Sequence, residues 1–253
     1  VTPPLFLLDS TLLQGATVQL SGREGHHAAD VRRLRVGERV DVSDGMGLRL
    51  ECRVESVSRG SITLQVLTRV VEPPPRPRVE VAQALVKHDA ADRALAGMTE
   101  VGVDAVIGWA AQRSIVTWDA DRVERGVRRW RAAVAEAAKQ CRRAWVPQVE
   151  GPLDTESLAE RVSASDVALL LDADAPDALG AVDLADVATV LLVVGPEGGV
   201  SDDESARLVA AGARRVHLGP TILRSSTAGT VAAAVLLSRT RRWAARATEA
   251  PAG

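Results

Sequence analysis

Tyrosine is absent from this chain, and phenylalanine occurs once. A core must therefore be built from Val, Leu and Ala, and a sheet that stacks bases on Phe and Tyr is not expected. Cysteine is scarce too. Cys52 and Cys141 stand far apart in no pair motif, which argues against a disulfide framework or a zinc site and for two reduced thiols in a cytoplasmic protein. No metal spacing links His88 to the pair His26-His27, so no metal is expected. G-x-S-x-G is missing, and no Ser-His-Asp arrangement stands out. No apolar run reaches the ~18–20 residues of a membrane span. Val1-Thr2-Pro3-Pro4-Leu5 puts no basic segment before its short apolar stretch, which makes a poor signal peptide. The reading is a cytoplasmic protein with no membrane partner.

The 253 residues are enough for one large domain or two modest ones. A net charge of −2 hides a segregation. Residues 121–143 carry eight basic side chains against three acids, whereas 150–210 carry fourteen acids against Arg161 and Arg207. Such a division suits either a polyanionic partner on one face or a solvated helix balanced by an acidic neighbour.

Proline marks the clearest boundary. Four prolines fall among residues 73–77, a density that no helix interior or central strand accepts. We divide the chain into a domain at 1–72, a Pro-rich linker at 73–78 and a second domain at 79–253. In the first, Arg39–Ser43 and Leu48–Val54 alternate polar and apolar residues around Asp44-Gly45 and Gly47, which predicts a hairpin. Ser61–Leu67 is a further strand and His26–Leu34 a short helix. A small β-barrel fits. In the second, apolar runs at 79–86, 103–107, 167–171, 190–194 and 216–218 alternate with helical stretches at 89–101, 121–143, 201–211 and 225–245. Continuous β-branched runs separated by helices predict an α/β domain with a parallel sheet covered on both faces.

Ligands in such sheets bind outside the carboxyl ends of the strands. Three loops leave such ends: Asp172–Pro176, Gly195-Pro196-Glu197-Gly198-Gly199, and Gly219–Arg224. If their strands are neighbours, the loops make one pocket. The three glycines of the middle loop permit positive φ and close backbone approach, and Ser201-Asp202-Asp203-Glu204 reads as a capping box. A phosphate there would meet Glu197 and three acids of the first helical turn, which already complement the helix dipole. Neither G-x-x-x-x-G-K-[ST] nor G-x-G-x-x-G is present. The loop suits a neutral or cationic ligand, such as a sulfonium cofactor with an adenine ring, or it is a plain strand-to-helix turn. Arg224 at the pocket mouth suits an RNA phosphate or charge developing on a base, or it is a surface arginine. The small residues of Ser225–Ala234 suit tight packing against a chain segment or a second subunit, or a buried alanine-rich helix.

Val194-Gly195-Pro196-Glu197-Gly198-Gly199-Val200-Ser201 with Glu204, followed by Leu218-Gly219-Pro220 and Ile222-Leu223-Arg224, resembles the paired signature of the ribosomal RNA small subunit methyltransferase E family. Val81–Leu85 with Lys87, Thr99–Asp104, Arg113-Ser114, Trp130, Glu136–Gln140 with Arg142 or Arg143, Val146-Pro147, and His26-His27 with Val31, Leu34-Arg35 and Gly37 resemble it as well. The likeness spans nearly the whole chain. It implies a PUA-like β-barrel followed by a SPOUT-type α/β domain with a C-terminal trefoil knot, a topology that general folding rules disfavour. It further implies a homodimer with the site at the subunit interface. The implied reaction is S-adenosylmethionine-dependent methylation of uridine N3 in 16S rRNA of the small ribosomal subunit.

Carried over, Val194, Gly195, Pro196, Glu197, Gly198, Gly199, Leu218, Gly219, Pro220, Ile222 and Leu223 would hold the cofactor. Leu171 and Asp172 join them from the expected topology. Arg224 would stabilise the uridine anion, and Glu197 or solvent would take the proton. His26, His27, Arg32, Arg33, Arg35, Arg128, Arg129, Arg142 and Arg143 would face the RNA. Two positions depart from the pattern. Many family members have Arg at Thr221 and a Glu at Ser226, so no carboxylate at 226 acts as general base. A SPOUT enzyme that methylates ribose 2′-O on another RNA, and a non-catalytic ribosome-assembly factor, are the competing readings.

Overall fold

The computed structural model describes residues 2–244. The chain forms two compact units, Val1–Pro74 with Ala135–Val146, and Pro75–Val134 with Pro147–Gly253.

The first unit contains β1 (Leu5–Leu7), β2 (Thr17–Leu20), α1 (Gly22–His26), β3 (Arg39–Ser43), β4 (Leu48–Ser58) and β5 (Ser61–Val71). They make a five-stranded sheet in the order β1-β3-β4-β5-β2. Only the β1–β3 pair is parallel. The expected hairpin is β3–β4, with Gly45 at φ +76° and Gly47 at φ +102° in its turn. Register shifts after Glu51 and Val54 mark bulges in β4, and bulges bend and twist a strand. Alternate residues Val40, Val42, Leu50, Cys52, Val54, Ile62 and Leu64 face one core, as the two-residue period of a strand requires. Burial pushes the Cys52 thiol up to about 11, so it stays protonated and unreactive. The helix expected at 26–34 lies further upstream. It begins at Gly22, passes into a π turn over His27–Val31, and ends before Arg33 at φ +55°. Residues 144–146 pack on the hairpin turn: a Cβ on Gly47 would lie 2.6 Å from the Trp145 ring. Trp145 Nε1 donates to the Glu72 carbonyl at 3.2 Å.

The second unit holds β6 (Arg78–Ala84), α2 (His88–Val101), β7 (Ala105–Trp109), α3 (Ala120–Cys141, whose last turns belong to the first unit), β8 (Gln148–Leu153), α4 (Thr155–Ser163), β9 (Val167–Leu171), β10 (Asp177–Ala178), β11 (Thr189–Val194), α5 (Asp202–Ala210), β12 (Arg214–His217), α6 (Ser225–Leu237) and α7 (Arg241–Ala244). Its sheet is parallel throughout, in the order β10-β12-β9-β11-β6-β7-β8. Successive residues point to opposite faces. Ala82 and Val193 face the core shared with Leu158 and Val162 of α4 and Leu208 of α5. Val81 and Val194 face α6, where a Cβ on Gly229 would sit 3.4 Å from each and 2.9 Å from Met98 Sδ of α2. Gly97 of α2 is likewise pressed on Thr230. The small-residue stretch is thus where α6 closes on both α2 and the sheet.

Four strands and one helix were not expected: β1 and β2 in the first unit, and β8, β10 and α4 in the second. β8 alternates and contains Gly151-Pro152 at the sheet edge, where proline is tolerated. β10 has only two residues. α4 is capped by Asp154, whose side chain accepts from Ser157 N at 2.8 Å. The helix expected over 225–245 breaks after Leu237. The hydroxyls of Ser238 and Thr240 donate back to the carbonyls of Val235 and Leu237, which competes with helix continuation. Ala245 lies outside the described residues. Among the described residues no helix is long and apolar enough to cross a membrane.

Candidate active site

The strands that precede the three loops are neighbours: β9 lies between β12 and β11. Because all three run in parallel, their carboxyl ends open on one edge, next to the β11–β6 junction where strand order reverses. A cavity of about 1000 Å³ lies there, lined by all three loops.

The middle loop is held from several sides. Gly199 N donates to the Pro196 carbonyl at 2.9 Å, and Gly199 stands at φ +75°. A Cβ on Gly195 would lie 2.7 Å from Val200 Cγ2, so only glycine lets Val200 fold back onto the core. A capping box is present: the Ser201 hydroxyl accepts from Glu204 N, and the Glu204 carboxylate accepts from Ser201 N. That carboxylate also accepts from Gln112 N at 2.7 Å and from the Thr155 hydroxyl at 3.1 Å. Burial opposes its ionisation, but the hydrogen bonds from Gln112, Ser201 and Thr155 outweigh this and hold it below the usual carboxylate range. Glu204 thereby locks the glycine loop to the segment after β7 and to the start of α4. From that segment Arg113 packs on Gly198, its Nη1 3.5 Å from the Gly198 carbonyl.

Leu171, Asp172, Val194, Leu218, Gly219, Ile222, Leu223 and the whole loop Gly195–Gly199 line the cavity; Pro220 does not. Gly219 turns at φ +120°, its N–H donating to His217 Nδ1 at 3.1 Å. Arg224 and Glu197, expected to act on the substrate, line the same cavity and are both exposed. Sequence reasoning missed Arg215, which holds Asp172 at 2.5 Å across β12 and β9. It also missed Ser205 and Val209 on one face of α5, and Ser225 and Ala228 at the start of α6. The spacings i, i+4 and i, i+3 on helices that follow pocket loops were the available signal.

The electrostatics are lopsided. Asp172, Asp174, Glu197 and Asp202 line the cavity, opposed by Arg215 and Arg224. Asp172 already neutralises Arg215, whereas no hydrogen bond or ion pair engages the Arg224 guanidinium among the described residues. A wall with surplus carboxylate, apolar surface from Leu170, Val194 and Leu218, and glycine turns fits a cationic cofactor carrying a flat ring better than a polyphosphate. Among the described residues no group of three or more His, Cys, Asp or Glu could hold a metal ion.

The residues expected to face RNA fall in both units. In the first, Arg32, Arg33 and Arg35 are exposed beside Val31 and Val36, themselves 62% and 65% exposed. His26 Nδ1 lies 2.8 Å from Asp30, and His27 packs edge-on to Phe6. Arg142 donates to the Thr2 carbonyl at 3.2 Å, and Arg143 is half-buried. In the second unit, Arg128 pairs with Glu124 and Arg129 with Asp92. The latter two are therefore partly neutralised by their own fold.

Two family models match. Residues 72–237 match an RNA methyltransferase domain, and residues 20–67 an RNA methyltransferase PUA domain. The chain is 44% identical over 249 residues to the ribosomal RNA small subunit methyltransferase E of Mycobacterium bovis, covering 97% of this chain and 95% of that protein. It is 29% identical to the Bacillus subtilis protein of the same name, covering 85% and 87%. Among solved structures, that of the same-named protein from Neisseria gonorrhoeae, bound to S-adenosyl methionine, matches with a TM-score of 0.83 and 26% identity, over 94% of this chain and 98% of that one. A parallel sheet with a three-loop pocket at its carboxyl edge, a PUA domain and these likenesses agree: the chain belongs to the ribosomal RNA small subunit methyltransferase E family.

Proposed function

We propose that this protein methylates N3 of a uridine in 16S rRNA, with S-adenosylmethionine as donor. The observation that carries this reading is the acidic, glycine-walled cavity formed by the loops after β9, β11 and β12, with Arg224 at its mouth. Support for the cofactor comes from the Neisseria relative, whose structure contains it. When bound, the cofactor supplies an electrophilic methyl group on a sulfonium. The loops Gly195–Gly199 and Leu218–Leu223 would hold it together with Leu171 and Asp172.

Uridine N3 is a weak acid and must lose its proton before it can accept a methyl group. Arg224 stabilises the resulting uridine anion, and Glu197 or solvent takes the proton. Ser226, buried and without a carboxylate, has no part in that transfer. The RNA is held by His26, His27, Arg32, Arg33 and Arg35 together with Arg128, Arg129, Arg142 and Arg143. The strand domain at 1–72, the linker and the methyltransferase domain at 79–253 divide the work of docking and chemistry. The segment through α6 threads a trefoil knot, which accords with the close approach at Gly229 and Gly97. The enzyme works in the cytoplasm as a homodimer. Ile222, 85% exposed beside the cavity, and Val231, 37% exposed on α6, suit a subunit contact.

The test is to incubate the protein with labelled S-adenosylmethionine and small subunits from a strain lacking the gene, then copy the RNA by reverse transcription. An N3 methyl blocks the pairing edge, so label together with a strong stop at one uridine is expected. Label without a stop would point to ribose methylation and overturn the N3 assignment. No label on subunits or free RNA would falsify the enzyme reading and favour an assembly factor.

A further inference from the structure

Gln83, at the carboxyl end of β6, is fully buried, and its side chain reaches across to the first residue of α6. Its Nε2 lies 2.9 Å from the Ser225 hydroxyl and 3.3 Å from the Ala84 carbonyl. A carbonyl can only accept, so with the nitrogen toward Ala84 both of its contacts are hydrogen bonds, whereas the flipped amide would set oxygen against oxygen there. The bond to Ser225 therefore runs in one direction: Gln83 donates and the Ser225 oxygen accepts. Gln83 Oε1 is buried with no partner, so the serine proton is not returned to it. Nor does any other described group accept that proton. Ser225 itself is 6% exposed and lines the cavity.

We propose that Gln83 is a positioning residue that commits the Ser225 hydroxyl to donate into the cavity, where it selects a ligand presenting an acceptor oxygen. Within the methyl-transfer reading, on which this inference rests, two sources offer such an oxygen. One is the cofactor, through its carboxylate or ribose. The other is the target base, through a carbonyl of uracil. The chemistry is the same: an oxygen acceptor is favoured, and a donor at that point would face a second donor. A buried hydroxyl whose direction is set by its neighbour discriminates more sharply than a freely rotating one, because the wrong partner leaves a polar group unpaired.

The test uses the full-length protein and the variants Ser225→Ala, Ser225→Thr, Gln83→Met and the double variant Ser225→Ala/Gln83→Met. Thermal melting establishes that each is folded. Calorimetry gives S-adenosylmethionine affinity, and labelled small subunits give kcat and KM. Ser225→Ala is expected to lose about tenfold. The loss falls in cofactor affinity if the acceptor belongs to the cofactor, and in kcat/KM for RNA if it belongs to the base. Ser225→Thr, which keeps the hydroxyl, should restore most of the loss. Gln83→Met should show the same kind of loss, and the double variant should be no worse than Ser225→Ala alone, because both changes remove one interaction. Losses that add, or a Ser225→Ala enzyme within about twofold of wild type in both measurements, would overturn the inference. Wild-type protein that binds no cofactor would overturn the functional reading instead, so the two failures are told apart by the wild-type titration.

Discussion

The two edges of the parallel sheet treat charge in opposite ways. At the amino edge ionised groups are consumed by the fold. Asp104, 6% exposed, accepts from Val79 N and forms a two-pronged pair with Arg242 at 2.7 and 3.1 Å. Arg242 donates in addition to the carbonyls of Pro77 and Gly102, which ties α7 to the start of the sheet. Glu80 is clamped there between Arg78 and Arg161. At the carboxyl edge Asp172 takes up Arg215, but Arg224 and Glu197 are exposed, and no hydrogen bond or ion pair in the described chain engages the Arg224 guanidinium. Paired charges in a partly buried setting hold elements together, whereas an unpaired cation beside a cavity is available to a ligand. The difference separates an end of the sheet where charges are tied into the fold from an end where a cation is left free beside a cavity.

The largest effect should come from breaking the amino edge. Asp104→Ala leaves Arg242 partly buried without its counter-charge, and removal of one partner of such a pair costs about 3–5 kcal/mol. Urea unfolding should show that loss, while cofactor affinity of the folded protein changes by less than about twofold, since the cavity is at the far end of the strands. Loss of cofactor binding in proportion to stability would mean that the edges are not independent.

Arg224→Ala should show the reverse pattern. An electrostatic contact made to charge that develops in the reaction contributes about 10²–10³ in kcat. The same exposed, unpaired side chain should alter stability by no more than about 0.5 kcal/mol. Turnover on small subunits, set beside cofactor calorimetry and melting, checks this. An equal fall in cofactor affinity and turnover would assign Arg224 to cofactor binding and not to the uridine anion.

How far these edges were legible in the sequence depended on the kind of signal. β9 and β11 are runs of Val and Leu buried on both faces, so their continuous apolar pattern gave them away. The glycine loop announced itself because Gly195 and Gly199 meet steric demands that no other residue satisfies. β8 was hidden because an edge strand with Gly151-Pro152 has no such run. Long-range partners were hidden altogether. Nothing local in Glu204 says that it accepts from Gln112 and Thr155, and nothing in Gln83 says that its amide meets Ser225, 142 residues on. For the same reason the grouping of 135–146 with the strand unit could not be read: α3 is amphipathic along its length, and periodicity names a buried face without naming what covers it.

The basic residues divide in the same way, and they carry the smallest expected effect. Arg128 and Arg129 resemble the amino edge, because Glu124 and Asp92 engage them. Arg32, Arg33 and Arg35 resemble the carboxyl edge: all three are exposed, and no described residue pairs with their guanidinium groups. Only charges free to meet phosphate release counterions on binding, so the two groups should differ in salt dependence. Reversal of Arg32, Arg33 and Arg35 to Glu should lower the slope of log affinity against log salt by about 0.7–0.9 for each phosphate that the protein no longer neutralises. Reversal of Arg128 and Arg129 should change it less per residue, since part of each charge is already spent on an acid of the same chain. Filter binding of 16S rRNA fragments across a salt series measures both slopes. Equal slopes per arginine would show that the surface pairs open when RNA binds, and that exposure outweighs pairing in deciding which cations reach phosphate.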